Sequence, residues 1–292
     1  MKKPEPEILS VAVDGSEMQY LYYEGDGPTI IFLHATGFLP WLWHPVARSL
    51  CGDYRVIAPY FCDHRVTEPE QGGLAWMQLA EDLCEFCTQL RLERPLLVGH
   101  SMGATIITLA NATHGSLADK MILIEPIFLP EQFYEMDITV EQHPLASKSI
   151  KRRNGWNNAD ELREYLRSRK LFQKWDDEML ELYIRYGMIT GETGGLKLAC
   201  SPRREASLFM GAMHYNPWPM FGDVTSEVMV VEGELSENRQ FIDLKKAAEM
   251  FPNGTYHMVK DAGHLVPMEK PQEIIDLVND FFSDSGIRAC TT

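Results

Sequence analysis

The chain has 292 residues, 45% of them hydrophobic, which is enough to bury a full core as one large domain or as a core with an insertion. Its formal charge of −15 at pH 7 sets up a field that repels DNA, RNA and anionic membrane surfaces, so nucleic acid is excluded as the expected partner. No stretch approaches the roughly eighteen consecutive apolar residues of a membrane span, and no apolar run follows Lys2-Lys3, so a cytoplasmic location is expected.

In chain order, Ile8 to Val13 and Met18 to Glu24 read as two strands joined by an Asp14-Gly15 hairpin turn. Thr29 to Leu33 is a buried strand ending at His34, followed by a helix near Pro40 to Leu50 and a strand from Tyr54 to Ala58. A helix from Ala75 to Leu90 carries apolar positions at Trp76, Leu79, Leu83, Phe86 and Leu90. Cys84 and Cys87 form a C-x-x-C inside it, but no second ligand pair stands at a suitable spacing. They are therefore expected to pack as small thiols, and no metal or cofactor is implied. The other cysteines, Cys51, Cys62, Cys200 and Cys290, are scattered.

Strands at Leu96 to Val98 and Met121 to Ile124 flank a small-residue helix from Ala104 to Ala112. This alternation predicts a mostly parallel sheet covered on both faces. It then stops. From Phe128 to about Gly222 the segments Ala159 to Lys170, Asp176 to Gly187 and Arg203 to Ala212 favour helix with no strand between them, which predicts a helical insertion over 128–222. The core, 1–127 and 223–292, resumes with a strand at Glu227 to Val231. A helix (Asn238 to Met250), a strand (Thr255 to Val259) and a closing amphipathic helix (Pro271 to Phe282) complete it, and Met1 to Glu7 and Ser283 to Thr292 read as tails.

Gly99-His100-Ser101-Met102-Gly103 lies between a strand and a helix. Glycines two before and two after Ser101 permit a sharp elbow that lifts its hydroxyl clear of the backbone and makes it a nucleophile. The bland alternative is a helix N-cap serine. A hydroxyl needs a base, and of nine histidines His264, in Asp261-Ala262-Gly263-His264 after the last strand, falls where parallel strands end and α/β sheets build their sites. His34 and His100 also lie near strand ends and are expected to fix turns around the site.

With Leu33-His34-Ala35-Thr36-Gly37-Phe38 and Pro267-Met268-Glu269-Lys270-Pro271, these motifs resemble the α/β-hydrolase fold superfamily over almost the whole chain. The resemblance implies an eight-stranded, mostly parallel sheet with a cap between the sixth and seventh strands. It also implies an oxyanion hole from the backbone N–H groups of Met102 and Thr36. Two loops depart from the usual pattern. His34-Ala35-Thr36-Gly37 has one glycine fewer than His-Gly-x-Gly, and Tyr60-Phe61-Cys62-Asp63-His64-Arg65 replaces a loop that is usually structural.

The third triad member departs as well, because Gly233-Glu234-Leu235-Ser236 puts a serine where most members carry an aspartate. Glu125, ending the strand before the insertion, is the favoured acid; Glu237, with Glu234 nearby, is the alternative. A carboxylate closing an apolar strand is costly to bury without partners, whereas Glu237 falls in a polar loop. Substrate walls are expected from Met210, His214, Tyr215, Trp218, Met220 and Phe221, with Trp41 and Trp43 opposite. The basic residues Lys151, Arg152, Arg153, Arg163, Arg167, Arg169 and Lys170 read as a solvated face.

The expected function is hydrolysis of a small carboxylic ester with an apolar acyl or alcohol part; the rivals are carbon–carbon bond hydrolysis or perhydrolase-like activity on the same triad, and a ligand-binding sensor that turns over slowly. A homodimer is compatible with the sequence.

Overall fold

A computed structural model describes residues 4–115, 117–192 and 194–283. The chain opens with β1 (Glu7–Val13), β2 (Ser16–Tyr23) and β3 (Thr29–Leu33), then α1 (His44–Leu50), β4 (Arg55–Pro59) and α2 (Trp76–Gln89). β5 (Leu96–His100), α3 (Met102–His114) and β6 (Lys120–Ile124) follow. Between β6 and the next core strand lie α4 (Ala146–Lys151), α5 (Ala159–Arg167), α6 (Asp177–Tyr186), β7 (Met188–Thr190), β8 (Leu196–Leu198) and α7 (Pro202–Gly211). The core closes with β9 (Glu227–Gly233), α8 (Leu244–Met250), β10 (Gly254–Val259), α9 (Val266–Glu269) and α10 (Pro271–Ser283).

Among the described residues, eight strands form one sheet in the order β1-β2-β4-β3-β5-β6-β9-β10. β1 and β2 are antiparallel, turning at Asp14 and Gly15 with φ of 44° and 76°, and everything from β4 to β10 is parallel. Parallel strands covered on both faces read as unbroken apolar runs, and Ile30, Ile31, Phe32 and Leu33 are fully buried for that reason. Their side chains alternate between two cores. Ile30, Phe32, Val98, Ile122 and Val231 pack with Val46 and Leu50 of α1 and with Ile274 and Val278 of α10. Ile31, Leu33, Leu97, Met121 and Val230 pack with Leu79, Leu83 and Phe86 of α2 and Ile106 and Ile107 of α3. Cys87 belongs to this second core and Cys84 packs against it; burial pushes their thiols up to about 12 and about 11, as inert packing groups require.

The expectation of no strand in the insertion is overturned. β7 and β8 pair as an antiparallel hairpin, Met188 opposite Leu198 and Thr190 opposite Leu196. Strands of three residues are too short to show a period in sequence, and Gly194 and Gly195, both with positive φ, are the local signal that was available. The helix expected over Asn238 to Met250 is also interrupted. A 3-10 turn spans Glu237–Gln240, and α8 starts afresh where the Asp243 side chain accepts the Lys246 N–H. Likewise α5 stops at Arg167, and Pro40–Trp43 is a 3-10 turn ahead of α1. Glu7 already belongs to β1, and of the expected tails 1–3 and 284–292, with Cys290, lie outside the described residues. Among the described residues no helix is long and apolar enough to cross a membrane, and no group of three or more His, Cys, Asp and Glu could hold a metal ion.

The elbow depends on its glycines. A Cβ on Gly99 would stand 2.5 Å from the Ala104 nitrogen, and one on Gly103 would stand 2.6 Å from the Leu33 carbonyl oxygen, both immovable backbone atoms. Gly103→Ala is therefore expected to destabilise the fold by about 2–4 kcal/mol, read as a lowered denaturation midpoint; a change under about 0.5 kcal/mol would show that β3 and α3 can separate freely.

Candidate active site

Ser101 sits at the head of α3 with φ 55° and ψ −116°, a strained conformation for a residue with a side chain. It occupies the N-cap position, yet its hydroxyl makes no capping hydrogen bond. Its Oγ lies instead 3.1 Å from His264 Nε2. The helix-capping alternative is set aside by that orientation.

On the far side of the ring, His264 Nδ1 lies 2.9 Å from Glu125 Oε2. Glu125 follows β6 with φ 50°, and its N–H donates to the Val231 carbonyl at 2.8 Å, which swings the side chain across the end of β9. The carboxylate is fully buried and its oxygens are matched by donors: Gly233 N–H to Oε1 and Ser236 O–H to Oε2, each at 2.7 Å. Burial without such donors would cost several kcal/mol; with them the strand end becomes a stable carboxylate site. The serine in the usual acid position thus donates to a carboxylate arriving from the neighbouring strand. Glu237 is not brought to the ring: it is exposed and paired with Lys170, which holds its carboxyl below the usual range. Glu234 accepts the Asp261 N–H in the same loop cluster.

His34 and His100 brace this arrangement. His34 Nε2 accepts the Phe61 N–H at 3.1 Å, tying the turn after β3 to the loop after β4. In that loop His64 and Arg65 both bond the buried Asp82 of α2. His100 Nε2–H donates to the His264 carbonyl at 2.9 Å and so fixes the histidine loop to the end of β5. Burial, then the neighbouring His264, pushes His100 down to about 3, and burial also lowers His34.

Both therefore fold as neutral rings, while in the unfolded chain they titrate near 6.5. A depressed histidine pKa means that the unfolded state binds more protons below pH 6.5, so this stability is present above 6.5 and lost as pH falls toward 3. The expected slope is about 1.4 kcal/mol per pH unit for His100 alone, or about 2 kcal/mol lost by pH 5. Chemical denaturation of the wild type and His100→Gln between pH 7 and pH 4.5 checks this: the variant should show a shallower decline, and parallel curves would contradict it.

Of the two expected oxyanion donors, Met102 is the first residue of α3, so its N–H has no partner within the helix. Thr36 is the second residue of a turn closed by Phe38 N–H to Ala35 O at 3.1 Å, a position whose own N–H the turn does not use. Gly37 follows at φ 76°, and a Cβ there would stand 2.4 Å from Glu205 Oε1 of α7. Glu205 in turn receives Arg152 Nη1 at 2.8 Å on both oxygens. Phe38 packs on Trp175 and Tyr183, with ring centroids 5.5 and 5.7 Å apart. On the other flank, Asp176 N–H donates to Met268 O and Lys174 reaches Asp261 O, so the insertion touches both the turn after β3 and the segment around His264.

The expected wall residues are not brought to this row. Trp218 is buried against Phe128 and Phe221 and donates to Leu129 O, and Met210 packs with Val140, Ala146 and Ala206. Phe221 is fully buried in the second core, and Met220 packs against it. His214 bonds the Gly72 carbonyl, and Tyr215 is 41% exposed. Trp41 is buried, stacked on Tyr186 and donating to Tyr60 Oη; Trp43 packs on Phe32. The aromatics packed at the turn after β3 are Phe38, which is half-buried, and Trp175 and Tyr183, which are buried in the first core; no linear cluster marks them. Most of the basic run forms ion pairs as a solvated face does, Arg153 with Glu161, Arg163 with Glu181 and Arg167 with Asp177, but Arg152 departs from that expectation, half-buried and turned inward onto Glu205.

The model of a family described as the alpha/beta hydrolase family matches residues 30–277. The 2-(acetamidomethylene)succinate hydrolase of Mesorhizobium japonicum is 23% identical over 258 residues, spanning 88% of this chain and 89% of its own. A crystal structure of E-2-(acetamidomethylene)succinate hydrolase superposes with a TM-score of 0.78 at 20% identity, covering 95% of this chain and all of that one. A thermophilic esterase from Thermogutta terrifontis gives 0.69 at 18% identity, covering 95% and 98%.

Proposed function

Since the chain belongs to the alpha/beta hydrolase family, we propose that it is a serine hydrolase of small carboxylic esters, with Ser101, His264 and Glu125 as its triad. The observation that carries this reading is the single row in which His264 lies between Ser101 Oγ at 3.1 Å and Glu125 Oε2 at 2.9 Å. Ser101 Oγ attacks the carbonyl carbon while His264 Nε2 takes its proton, and Nδ1–H, directed at Glu125, spreads the charge that forms on the ring. The Met102 and Thr36 N–H groups receive the oxyanion. The imidazolium then protonates the leaving alcohol, and a water deprotonated by the same nitrogen releases the acid. Phe38, half-buried beside the turn after β3, offers apolar surface to the ester, the buried Trp175 and Tyr183 back it, and the segment between β6 and β9 acts as the cap.

A second reading, cleavage of an acyl carbon–nitrogen or carbon–carbon bond by the same groups, is favoured by the similarity to the 2-(acetamidomethylene)succinate hydrolase along 88% of the chain. The sensor reading drew on the serine at 236, and Glu125 supplies the acid that this position lacks. Short p-nitrophenyl esters and 2-(acetamidomethylene)succinate, assayed side by side, separate the readings. Ester turnover with fluorophosphonate labelling of Ser101 supports the first; turnover of the second substrate alone supports the second; labelling with neither turnover returns the sensor.

A further inference from the structure

Asn238, half-buried in the 3-10 turn after β9, brings its amide Nδ2 to 3.0 Å from His264 Nδ1, the ring nitrogen that also faces Glu125 Oε2 at 2.9 Å. A ring nitrogen offers one in-plane hydrogen or one lone pair, never both. An amide N–H on Nδ1 needs the lone pair there, which moves the ring hydrogen to Nε2, against Ser101. It also sets bare Nδ1 against a carboxylate oxygen. In that state the imidazole cannot take the serine proton. Turned by 180° about its last bond, the same amide presents Oδ1, and Nδ1–H is shared between two acceptors. Glu125 selects between the two states: Gly233 N–H and Ser236 O–H fix its oxygens as acceptors, so the nearby ring nitrogen must carry the hydrogen.

We propose that Asn238 is a positioning residue whose Oδ1 shares the His264 Nδ1–H with Glu125, holding the imidazole in the tautomer that leaves Nε2 open to Ser101. Its catalytic consequence rests on the triad reading above; the tautomer itself does not. Other charged groups lie on the segments that carry or flank this ring. Glu234, Arg239 and the Glu237–Lys170 pair lie on or against the segment after β9, Asp261 and Glu269 on the segment around His264, and Lys174 on the insertion. His100, 5.3 Å away between centroids, is neutral.

An acceptor on Nδ1–H favours the imidazolium, so removing it lowers the histidine pKa. Asn238→Leu is expected to lower kcat about three- to twentyfold at unchanged KM and to move the acidic limb of kcat/KM downward; Asn238→Asp should move that limb upward. Asn238→Asp should also raise the rate of Glu125→Gln at least about tenfold. If the amide nitrogen faces the ring, Asn238→Leu instead moves the limb upward and leaves kcat equal or faster, which overturns the proposal. Nitrogen-15 spectra of histidine-labelled protein provide a readout that needs no turnover. Nδ1 of His264 should be protonated in the wild type at pH 8, with the Nε2–H form gaining population in Asn238→Leu. A bare wild-type Nδ1, or populations that do not respond to Asn238→Leu, overturns the proposal even in a catalytically silent protein. Absence of turnover on every ester alongside the expected spectra would instead count against the hydrolase reading.

Discussion

Ser101→Ala is expected to lower kcat for ester hydrolysis by about four to six orders of magnitude and to leave stability within about 0.5 kcal/mol. The first expectation follows from chemistry: without Oγ no acyl-enzyme forms, and what remains is binding and the oxyanion donors. The second follows from the hydroxyl's surroundings. It makes no helix-capping bond, so its loss removes none of the stability that an N-cap serine contributes, and alanine suffers the same φ of 55° as serine. His264→Ala should fall to a similar rate, and the double variant should be no slower than either, because groups acting as a unit are not additive. Steady-state kinetics with thermal denaturation on each variant measures both quantities. A residual rate within tenfold of wild type would remove Ser101 from its role, and a large stability loss would make its hydroxyl structural.

Ser101 and His264 were legible because each is marked by its own neighbours, glycines that a strand-to-helix elbow and a loosened loop require. Glu125 was legible only as the better of two carboxylates. Its partners lie far along the chain, His264 139 residues on and Gly233 108, and only the register of β6 beside β9 brings them together. Ser236 read as an empty position because its role is to donate to a group from another strand. Asn238 left no signal, as one polar residue in a polar turn. The wall residues failed for a related reason: Trp218 and Phe221 form an aromatic cluster in sequence, but that density satisfies the core around Phe128 and Phe251 rather than the site. The sheet itself was readable nearly strand by strand, since buried parallel strands are contiguous apolar runs; β7 and β8 were too short to be.

Glu125→Gln is expected to lower kcat by about two to four orders of magnitude with KM little changed, while Glu237→Gln stays within about tenfold of wild type. The amide keeps the size and can still accept from Gly233, so the loss isolates charge and tautomer: an NH2 group facing Nδ1 favours the ring form with its hydrogen on Nε2, which cannot accept the serine proton. Glu237 is held at the surface by Lys170, so its neutralisation removes only an exposed ion pair. Ser236→Asp makes the comparison stricter. Ser236 Oγ is 2.7 Å from Glu125 Oε2, so a carboxylate at 236 enters the same pocket. In the wild-type background it places two carboxylates side by side in a buried site, where like charges disfavour ionisation, and the variant should lose both stability and rate. In the Glu125→Gln background the repulsion is gone and the new carboxylate can face Nδ1, so the double variant should recover at least about tenfold of the lost kcat. Recovery in the double variant together with loss in the single one means that the pocket holds one negative charge, which either strand end can supply. Equal rates in Glu125→Gln and wild type would mean instead that His264 keeps its tautomer without a carboxylate.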